Sequence, residues 1–319
     1  MGDRTGISWT DATWNPLRGC SRVSAGCAHC YAETVAARFS SPGQPYDGLL
    51  HPTTRGWNGQ LRFIEDALEH PLRWSRPRLI FVNSMSDLFH ESVTDEWIDR
   101  IFAVMALAPR HTFQILTKRP GHMLEYLDLR TDNREHAIGE QMRIISGGRD
   151  PGMPELPLPN VWLGVSVEDQ VTADLRIQLL LQCPAAVRWL SCEPLLGPID
   201  LEHVLRRGGS VDPGDGKGGF VGQLDMPGQI DWVVVGGESG VCARPMQPEW
   251  ARMLRDACAA ACVPYYFKQW GEWAPADDDA GGERLTRIGK RKAGSLLDGV
   301  DHKAWPHRGA FYFDGTGGA

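Results

Sequence analysis

The chain has 319 residues, of which 42% are hydrophobic and 9% aromatic, and its formal net charge is −7 at pH 7. This is the composition of an ordinary globular protein, and the negative charge argues against strong non-specific binding to nucleic acid. The sequence has no apolar signal-peptide core and no apolar run of the ~20 residues that a membrane helix needs, so we expect a cytoplasmic protein with no membrane partner.

Three of the eight cysteines fall within eleven residues near the N-terminus. They are Cys20, Cys27 and Cys30, in the segment GCSRVSAGCAHCY. Thiols this close together indicate a shared metal site or a redox pair, and thiolates favour zinc, Cu(I) or iron–sulfur clusters. A closed zinc site needs four ligands, and no second CxxC or HxxxH motif lies nearby. Three cysteines alone suit a [4Fe–4S] cluster with one iron left open for chemistry.

Other uses of these thiols stay open at this stage. The last two cysteines form a CxxC pair of the thioredoxin type, but the chain is about three times too long for such a domain and the first cysteine would have no role. A zinc site would need a distant fourth ligand such as His51 or His90, because His29 lies between two of the cysteines. We expect an iron–sulfur site, and the alternative is a zinc-stabilised binding protein without catalysis.

Six short apolar runs follow the cysteine segment and predict parallel strands buried on both faces. They cover residues 79–82, 113–116, 161–165, 187–190, 232–235 and 265–267. Helical patterns lie between them at residues 95–107, 121–127, 172–181 and 248–261. This alternation predicts an α/β fold with right-handed crossovers.

Polar or charged side chains come directly after each predicted strand. These segments are NSMSD, TKR, SVED, SCEP, GGESG and KQW, in chain order. Strand ends of this kind line the mouth of a (β/α) barrel, where active sites lie. We therefore predict a partial, TIM-like (β/α) barrel over residues 1–273 with a Gly-rich insertion at about 206–229. Residues 274–319 are expected to form a C-terminal extension with a basic segment.

The strand series with an N-terminal three-cysteine loop resembles the radical S-adenosylmethionine (SAM) superfamily, whose usual motif is CxxxCxxC. The first gap of this chain holds six residues rather than three. His29 takes the place of the aromatic residue that precedes the last cysteine in that superfamily. The resemblance implies a barrel of the radical SAM type, in which Cys20, Cys27 and Cys30 bind three irons of a [4Fe–4S] cluster and SAM binds the fourth.

A second resemblance covers nearly the whole chain and is to the phage Gp37/Gp68 family of three-cysteine-motif proteins. It rests on the segments ISWTDATWNP, CAHCYAE, SDLF, LTKRP, SCEPL and GGESG, and on KAG and LDG near the end of the chain. The family is classed as radical-SAM-like. It implies the fold and the cofactors but leaves the reaction and the substrate open.

These resemblances imply an enzyme in which a reduced cluster cleaves SAM and the 5′-deoxyadenosyl radical acts on a substrate. The electron requires a reductant such as ferredoxin or flavodoxin. The residues expected to contact the cofactors are His29, Ser84, Ser86, Asp87, Ser166, Glu168 and Glu238. The residues expected to act in catalysis are Lys118, Glu193 and Cys192.

The substrate is expected to be a nucleobase or a nucleic acid. Lys118 and Arg119 are candidates for binding a phosphate or the carboxylate of SAM. The densest basic run of the chain begins at Arg287 and ends at Lys292. Such a run commonly marks a solvated face, but beside an active site it positions a polynucleotide.

Overall fold

Eleven strands lie in the part of the chain that the structure, a computed structural model, describes: residues 5–128, 133–205, 228–277 and 283–306. In chain order they are β1 (Ala12–Trp14), β2 (Leu17–Arg18), β3 (Arg62–Phe63), β4 (Leu79–Val82), β5 (Thr112–Thr117), β6 (Val161–Ser166), β7 (Val187–Cys192), β8 (Trp232–Gly236), β9 (Tyr265–Gln269), β10 (Trp273–Asp277) and β11 (Glu283–Arg287). Seven of them form one parallel sheet in the order β1-β4-β5-β6-β7-β8-β9, and β2–β3 and β10–β11 are antiparallel ribbons. All six predicted strands are confirmed, and β1 is an edge strand that the sequence analysis missed.

Helices lie between successive strands of this sheet, except for α9, which follows β11. They are α1 (Tyr31–Arg38), α2 (Glu65–Leu68), α3 (Asp95–Leu107), α4 (Pro120–Tyr126), α5 (Arg134–Ile145), α6 (Gln170–Gln182), α7 (Glu202–Leu205), α8 (Pro248–Ala260) and α9 (Lys290–Ala293). The four predicted helices correspond to α3, α4, α6 and α8. Local capping explains two of the helix starts, since Thr94 accepts a hydrogen bond from Trp97 and Asp169 forms a capping box with Thr172.

The parallel sheet curls into a half-barrel, and Trp9 demonstrates the curvature. Its ring centroid lies 4.8 Å from that of Phe81 on β4 and 5.2 Å from that of Trp189 on β7. Two strands separate β4 from β7, so in a flat sheet these side chains would stand ~14 Å apart. The fold is therefore a partial (β/α) barrel, as predicted.

The two faces of the curled sheet carry different cores. The outer face packs against the helices in a large aliphatic cluster. The inner face carries a smaller cluster, which we call the aromatic floor, composed of Trp9, Phe81, Trp162, Val187, Trp189, Trp232, Val234 and Tyr266. Trp305 packs against it and stacks on Trp232 with ring centroids 5.0 Å apart. The floor closes the amino-terminal end of the half-barrel and leaves the carboxyl-terminal ends of the strands as its mouth.

The expected insertion and extension are described only in part. The Gly-rich insertion at about 206–229 lies outside the described residues except for its last two. In the extension, β11 pairs with β10, and His302 and Ala304 hydrogen-bond β9. Within the described ranges, no helix is long and apolar enough to cross a membrane.

Candidate active site at the mouth of the half-barrel

The three cysteines lie in a loop that crosses the mouth of the half-barrel. This segment, residues 19–31, is called the cysteine loop below; it follows β2, contains a 3₁₀ turn at Ala25–Cys27 and ends at the first residue of α1. Its residues hydrogen-bond groups that follow β4, β5, β6 and β8. The loop is thus fixed against four strand ends at the face where barrel enzymes carry their active sites.

The three thiols are half-buried and close enough to influence one another. Cys20 and Cys27 both interact electrostatically with Cys30. Burial raises the pKa of Cys20 to about 12, and Asp87 adds to this rise while the charge of Arg119 opposes it. Burial also raises the pKa of Cys30. Cys20 and Cys30 are therefore thiols at neutral pH until a metal displaces their protons.

The ligand set for a single metal ion is missing from the described residues. Among them, no group of three or more His, Cys, Asp or Glu side chains is arranged to hold an ion. His90 lies near the loop, but its Nε2 is 2.8 Å from Ser21 Oγ and its Nδ1 accepts from Ser92 N at 3.1 Å. His51 is exposed. Within the described residues, neither histidine belongs to a group of three or more such side chains.

Arg119, two residues beyond β5, anchors the first cysteine. Its buried guanidinium donates from Nη1 to Cys20 Sγ at 3.9 Å and from Nη2 to Ser21 Oγ at 2.7 Å. Asp87 accepts from Nη1 at 3.0 Å, and Glu91 accepts from Nε at 2.9 Å. Burial opposes the charged form, but the surrounding anions, led by Asp87, outweigh it and raise the pKa of Arg119. Arg119 therefore stays charged and holds the start of the loop.

Asp87, expected to accept the amino group of SAM, makes four hydrogen bonds within the fold. Oδ1 accepts from Thr117 Oγ1 at 2.7 Å and from Phe89 N at 3.1 Å. Oδ2 accepts from Lys118 N at 3.1 Å as well as from Arg119. The side chain is buried. Asp87 thus positions Arg119 and the end of β5.

Ser84 and Ser86 also make internal contacts. Ser84 Oγ donates to Asn15 Oδ1 at 3.1 Å, and Ser86 Oγ donates to Leu17 O at 3.1 Å. The carbonyl of Ser84 accepts from Tyr31 OH at 2.6 Å. Both serines join the end of β4 to the segment leading into the cysteine loop, so their hydroxyls support the loop.

Glu168, two residues beyond β6, is fully buried under the middle of the loop. It forms ion pairs with Lys118 and with Arg176, whose Nη1 lies 3.1 Å from Oε2, and Ser24 Oγ donates to Oε1 at 2.8 Å. A Cβ on Gly26 would stand 2.5 Å from the same oxygen, so the loop backbone lies directly on the carboxylate. Burial would raise the pKa of Glu168, but Lys118 and Arg176 outweigh it and lower the pKa.

Glu238, two residues beyond β8, fixes the far side of the loop. Arg244 donates to it from Nε at 2.9 Å and from Nη2 at 2.5 Å, and His29 Nδ1 lies 3.2 Å from Oε2. Arg244 also donates to the carbonyl of Ala25 at 3.0 Å. Burial opposes ionisation, yet the hydrogen bonds from Arg244 and His29 lower the pKa of Glu238. This contact places His29 above β8.

Glu193, directly after β7, pairs with a residue that the sequence analysis did not single out. Its two oxygens lie 2.8 and 2.7 Å from the Nζ atom of Lys268 on β9. Ser166 on β6 is in register with Ser191 on β7, and both serines are buried. The only sequence signal for Lys268 was its position in KQW, directly after the last predicted strand.

The sequence matches one family over most of its length. Residues 4–306 match the family described as "Protein of unknown function (DUF5131)". The chain belongs to the DUF5131 family. No curated protein and no solved structure matches it. Since the family description names no activity, the function of this DUF5131 member has to be inferred from its site.

Cys192 of this DUF5131 protein lies outside the mouth. Its side chain is fully buried in the cluster between the sheet and the helices, which also contains Cys258. Burial raises its pKa well above that of a free thiol. The structure therefore does not bring Cys192 to the cysteine loop, and it packs as a small apolar residue.

The expected phosphate contacts divide into two groups. Lys118 and Arg119 both belong to the ion pairs beneath the cysteine loop, so neither offers a free cation at the surface. The basic run begins at Arg287, which donates to the carbonyls of Gly240 and Val241 in the loop after β8. The three basic residues of α9 that follow are exposed. The run therefore lies beside the rim of the mouth.

Arg22 is a further site residue of this DUF5131 chain that sequence reasoning missed. It donates to Glu33 from Nε at 2.9 Å and from Nη2 at 2.5 Å, and its charge acts on Cys27 and Cys30. Glu33 is buried and also accepts from Trp57 N at 3.0 Å. A glutamate three residues after the last cysteine was the only local signal for this pair.

Proposed function

We propose that this chain is a radical SAM-type enzyme, as its resemblance to that superfamily and to the phage Gp37/Gp68 family implies. The observation that carries the proposal is the set of ion pairs that holds the cysteine loop over the mouth. Three buried carboxylates with cationic partners hold it over the mouth: Asp87 with Arg119, Glu168 with Lys118, and Glu238 with Arg244. Catalytic constellations require such preorganised support.

The donor set of the loop suits a [4Fe–4S] cluster better than a single ion. Thiolates are the ligands of such clusters. The loop supplies three neighbouring thiols, and Cys20 and Cys27 both interact electrostatically with Cys30. Arg22 and Arg119 supply positive charge beside the thiols, which favours their deprotonated forms.

When bound and reduced, the cluster supplies the electron that cleaves SAM. The protein then has to orient the ligands and exclude water. Arg119 fixes Cys20, and Glu168 fixes the segment between the first two cysteines through Ser24. His29 is about one-third exposed, with 34% of its side chain accessible, and its ring is oriented by Glu238. We assign His29 to the contact with the adenine of SAM.

The substrate and the partners belong to the same proposal. The exposed basic residues beside the loop after β8 support a nucleobase carried on a polyanion as substrate. The electron donor would be a ferredoxin or a flavodoxin. An oxygen-labile cluster suits a reducing compartment, so we propose a cytoplasmic location.

Anaerobic reconstitution tests the proposal. The protein is loaded with iron and sulfide, reduced with SAM present, and assayed for iron content and for 5′-deoxyadenosine. We expect about four irons per chain, as a [4Fe–4S] cluster requires, and 5′-deoxyadenosine that disappears in Cys20→Ala, Cys27→Ala and Cys30→Ala. Cys262→Ala, at an exposed position after α8, is the matched control and keeps both properties.

Two results would overturn the proposal. A cluster that forms without cleaving SAM would leave an electron-transfer or structural iron–sulfur protein. A colourless protein that binds one zinc ion per chain would support the alternative of a zinc-stabilised binding protein.

A further inference from the structure

Three carboxylates follow the neighbouring strands β6, β7 and β8, but only two of them hold the cysteine loop. Glu168 accepts a hydrogen bond from Ser24, and Glu238 contacts His29. Glu193, which lies between them in the strand order, makes its side-chain hydrogen bonds to Lys268 and Gln269 on β9. The Glu193–Lys268 pair is therefore not explained by support of the loop.

The pair lies between the aromatic floor and the cysteine loop. Lys268 Nζ is 6.0 Å from the ring centroid of Trp9 in the floor. Glu193 stands beside Gly236 on β8 and interacts electrostatically with Tyr31, the last residue of the loop. With 19% and 14% of their side chains accessible, Glu193 and Lys268 are shielded but can be reached.

Unpartnered polar atoms lie on the same inner face. Within the described ranges, the fully buried Trp189 Nε1 and Gln114 Oε1 have no hydrogen-bond partner. Gln114 binds the backbone of Trp9 through its Nε2, at 3.2 Å. The Trp189 ring lies on Gly164, its register partner on β6, so its N–H is buried within the aromatic floor. Unpaired buried donors and acceptors are costly, and a bound ligand is one explanation for their retention.

We propose that Glu193 and Lys268 form a substrate-binding site for a group that presents an N–H next to a carbonyl, as in an amide or imide. Lys268 retains a third ammonium proton for the carbonyl, and Glu193 retains lone pairs for the N–H. A nucleobase such as uracil and an open-chain amide both carry this edge. That this ligand is a substrate rests on the proposed function. That it binds here rests on the geometry of the Glu193–Lys268 pair.

Calorimetric titration under anaerobic conditions tests the site on the reconstituted protein. The probes are uridine, its 3-methyl derivative, which lacks the imide N–H, and N-acetylalanine amide. We expect uridine or the diamide to bind. Binding only of uridine identifies a nucleobase, and binding only of the diamide identifies a peptide-type substrate. Where uridine binds, 3-methyluridine should bind at least about tenfold more weakly, since a buried acceptor loses its donor.

Variants separate this site from the rest of the enzyme. Lys268→Met and Glu193→Gln should each weaken binding at least about tenfold, while Lys268→Arg should retain most of it. Arg143→Met is the matched control, because Arg143 pairs with Glu140 on the exposed surface of α5. Iron content and 5′-deoxyadenosine formed without substrate should stay unchanged in Arg143→Met.

The proposal fails if neither uridine nor the diamide binds, if methylation at N3 has no effect, or if both pair variants bind as the unmodified protein does. Thermal unfolding of each variant shows whether it is folded. If the unmodified protein binds a probe but forms no 5′-deoxyadenosine, the proposed function fails and the binding site stands.

Discussion

The Arg119 guanidinium donates to the Cys20 sulfur over 3.9 Å while the same nitrogen, Nη1, lies 3.0 Å from Asp87. The first cysteine of the loop is therefore connected to the ends of β4 and β5 by one buried cation. A hydrogen bond to sulfur and a nearby positive charge both favour a thiolate and its metal-bound form. Six residues separate Cys20 from Cys27, and Arg119 restrains the beginning of this segment through its hydrogen bond to Ser21.

Replacing Arg119 should weaken the binding of iron. In Arg119→Gln we expect about 10- to 100-fold weaker iron binding, the usual cost of removing a residue that supports a metal ligand. A shift in the reduction potential of any cluster that still forms should accompany it. Iron per chain and a potentiometric titration followed by visible absorption measure the two effects.

Arg100→Gln is the control for this variant. Arg100, on α3, forms a two-pronged ion pair with Glu65 at the start of α2. Iron content and potential should stay unchanged there. Equal losses in both variants would show that Arg119 acts only through general stability.

Adding a methyl group at Gly26 should disturb the loop. Its Cβ would lie 2.5 Å from Oε1 and 2.6 Å from Cγ of Glu168, which is closer than atoms can approach. Overpacking of this kind costs about 1–3 kcal/mol, so Gly26→Ala should unfold at lower denaturant concentration and hold less iron. Gly121→Ala is the matched control because nothing lies within 4 Å of its added carbon. A Gly26→Ala protein with full stability and iron content would contradict the close contact.

The buried carboxylate of Glu168 should make stability depend on pH. Its pKa is lowered below the ordinary 4.5, so the carboxylate stabilises the folded chain at neutral pH. That contribution decreases as the pH falls below about 4.5, the unfolded-state value, and through the lowered folded-state pKa. Glu168→Gln should therefore lose about 3–5 kcal/mol at pH 7, where it leaves Lys118 and Arg176 without a counter-charge. The difference from the unmodified protein should shrink towards acidic pH.

Denaturant unfolding at a series of pH values measures this difference. Glu140→Gln is a useful control, since Glu140 forms a solvent-exposed pair with Arg143 that water screens. We expect no comparable pH-dependent difference for that variant. A Glu168→Gln difference that grows towards acidic pH would mean that the carboxylate destabilises the fold.

The described end of the chain should contribute to the stability of the barrel. Trp305 stacks on Trp232, and the carbonyl of Ala304 accepts from Trp232 Nε1 at 2.9 Å. Trp305→Ala should cost about 3 kcal/mol in the free energy of unfolding, at the lower end for buried aromatic truncations because Trp305 is only partly buried. Leu296→Ala, at an exposed position, should change stability by less than about 0.5 kcal/mol. An equal loss of stability in Trp305→Ala and Leu296→Ala would mean that Trp305 does not belong to the core.

Much of the strand and helix pattern was predictable because it follows from short stretches of the sequence. The strands β4 to β9 are continuous apolar runs, and such runs form buried parallel strands wherever they occur. In contrast, β1 has only three residues and depends on pairing with β4. The helix α5 has a mixed polar pattern and packs against α3. Both were missed because their stability comes mainly from tertiary contacts.

The sequence predicted where the site lies but not which contacts its residues make. Polar residues at strand ends indicated the mouth, and Glu168, Glu193 and Glu238 do lie there. Their partners are far away in sequence, so no local pattern could show that Asp87 is already occupied. Successive side chains of a strand point to opposite faces of the sheet. Cys192 therefore packs in the outer core, and its neighbour Ser191 faces the mouth.

The sequence by itself determined the spacing of the three thiols, the order of the strands and helices, and the polar character of every strand end. Tertiary structure alone decided which cation meets which anion. Arg119 lies 32 positions from its partner Asp87 in the sequence, and Lys268 lies 75 positions from Glu193. Such pairs form because curling of the parallel sheet brings the carboxyl ends of distant strands to one mouth. Burial there makes an unpaired charge too costly to keep, so each carboxylate is held by the cation that the fold brings within reach.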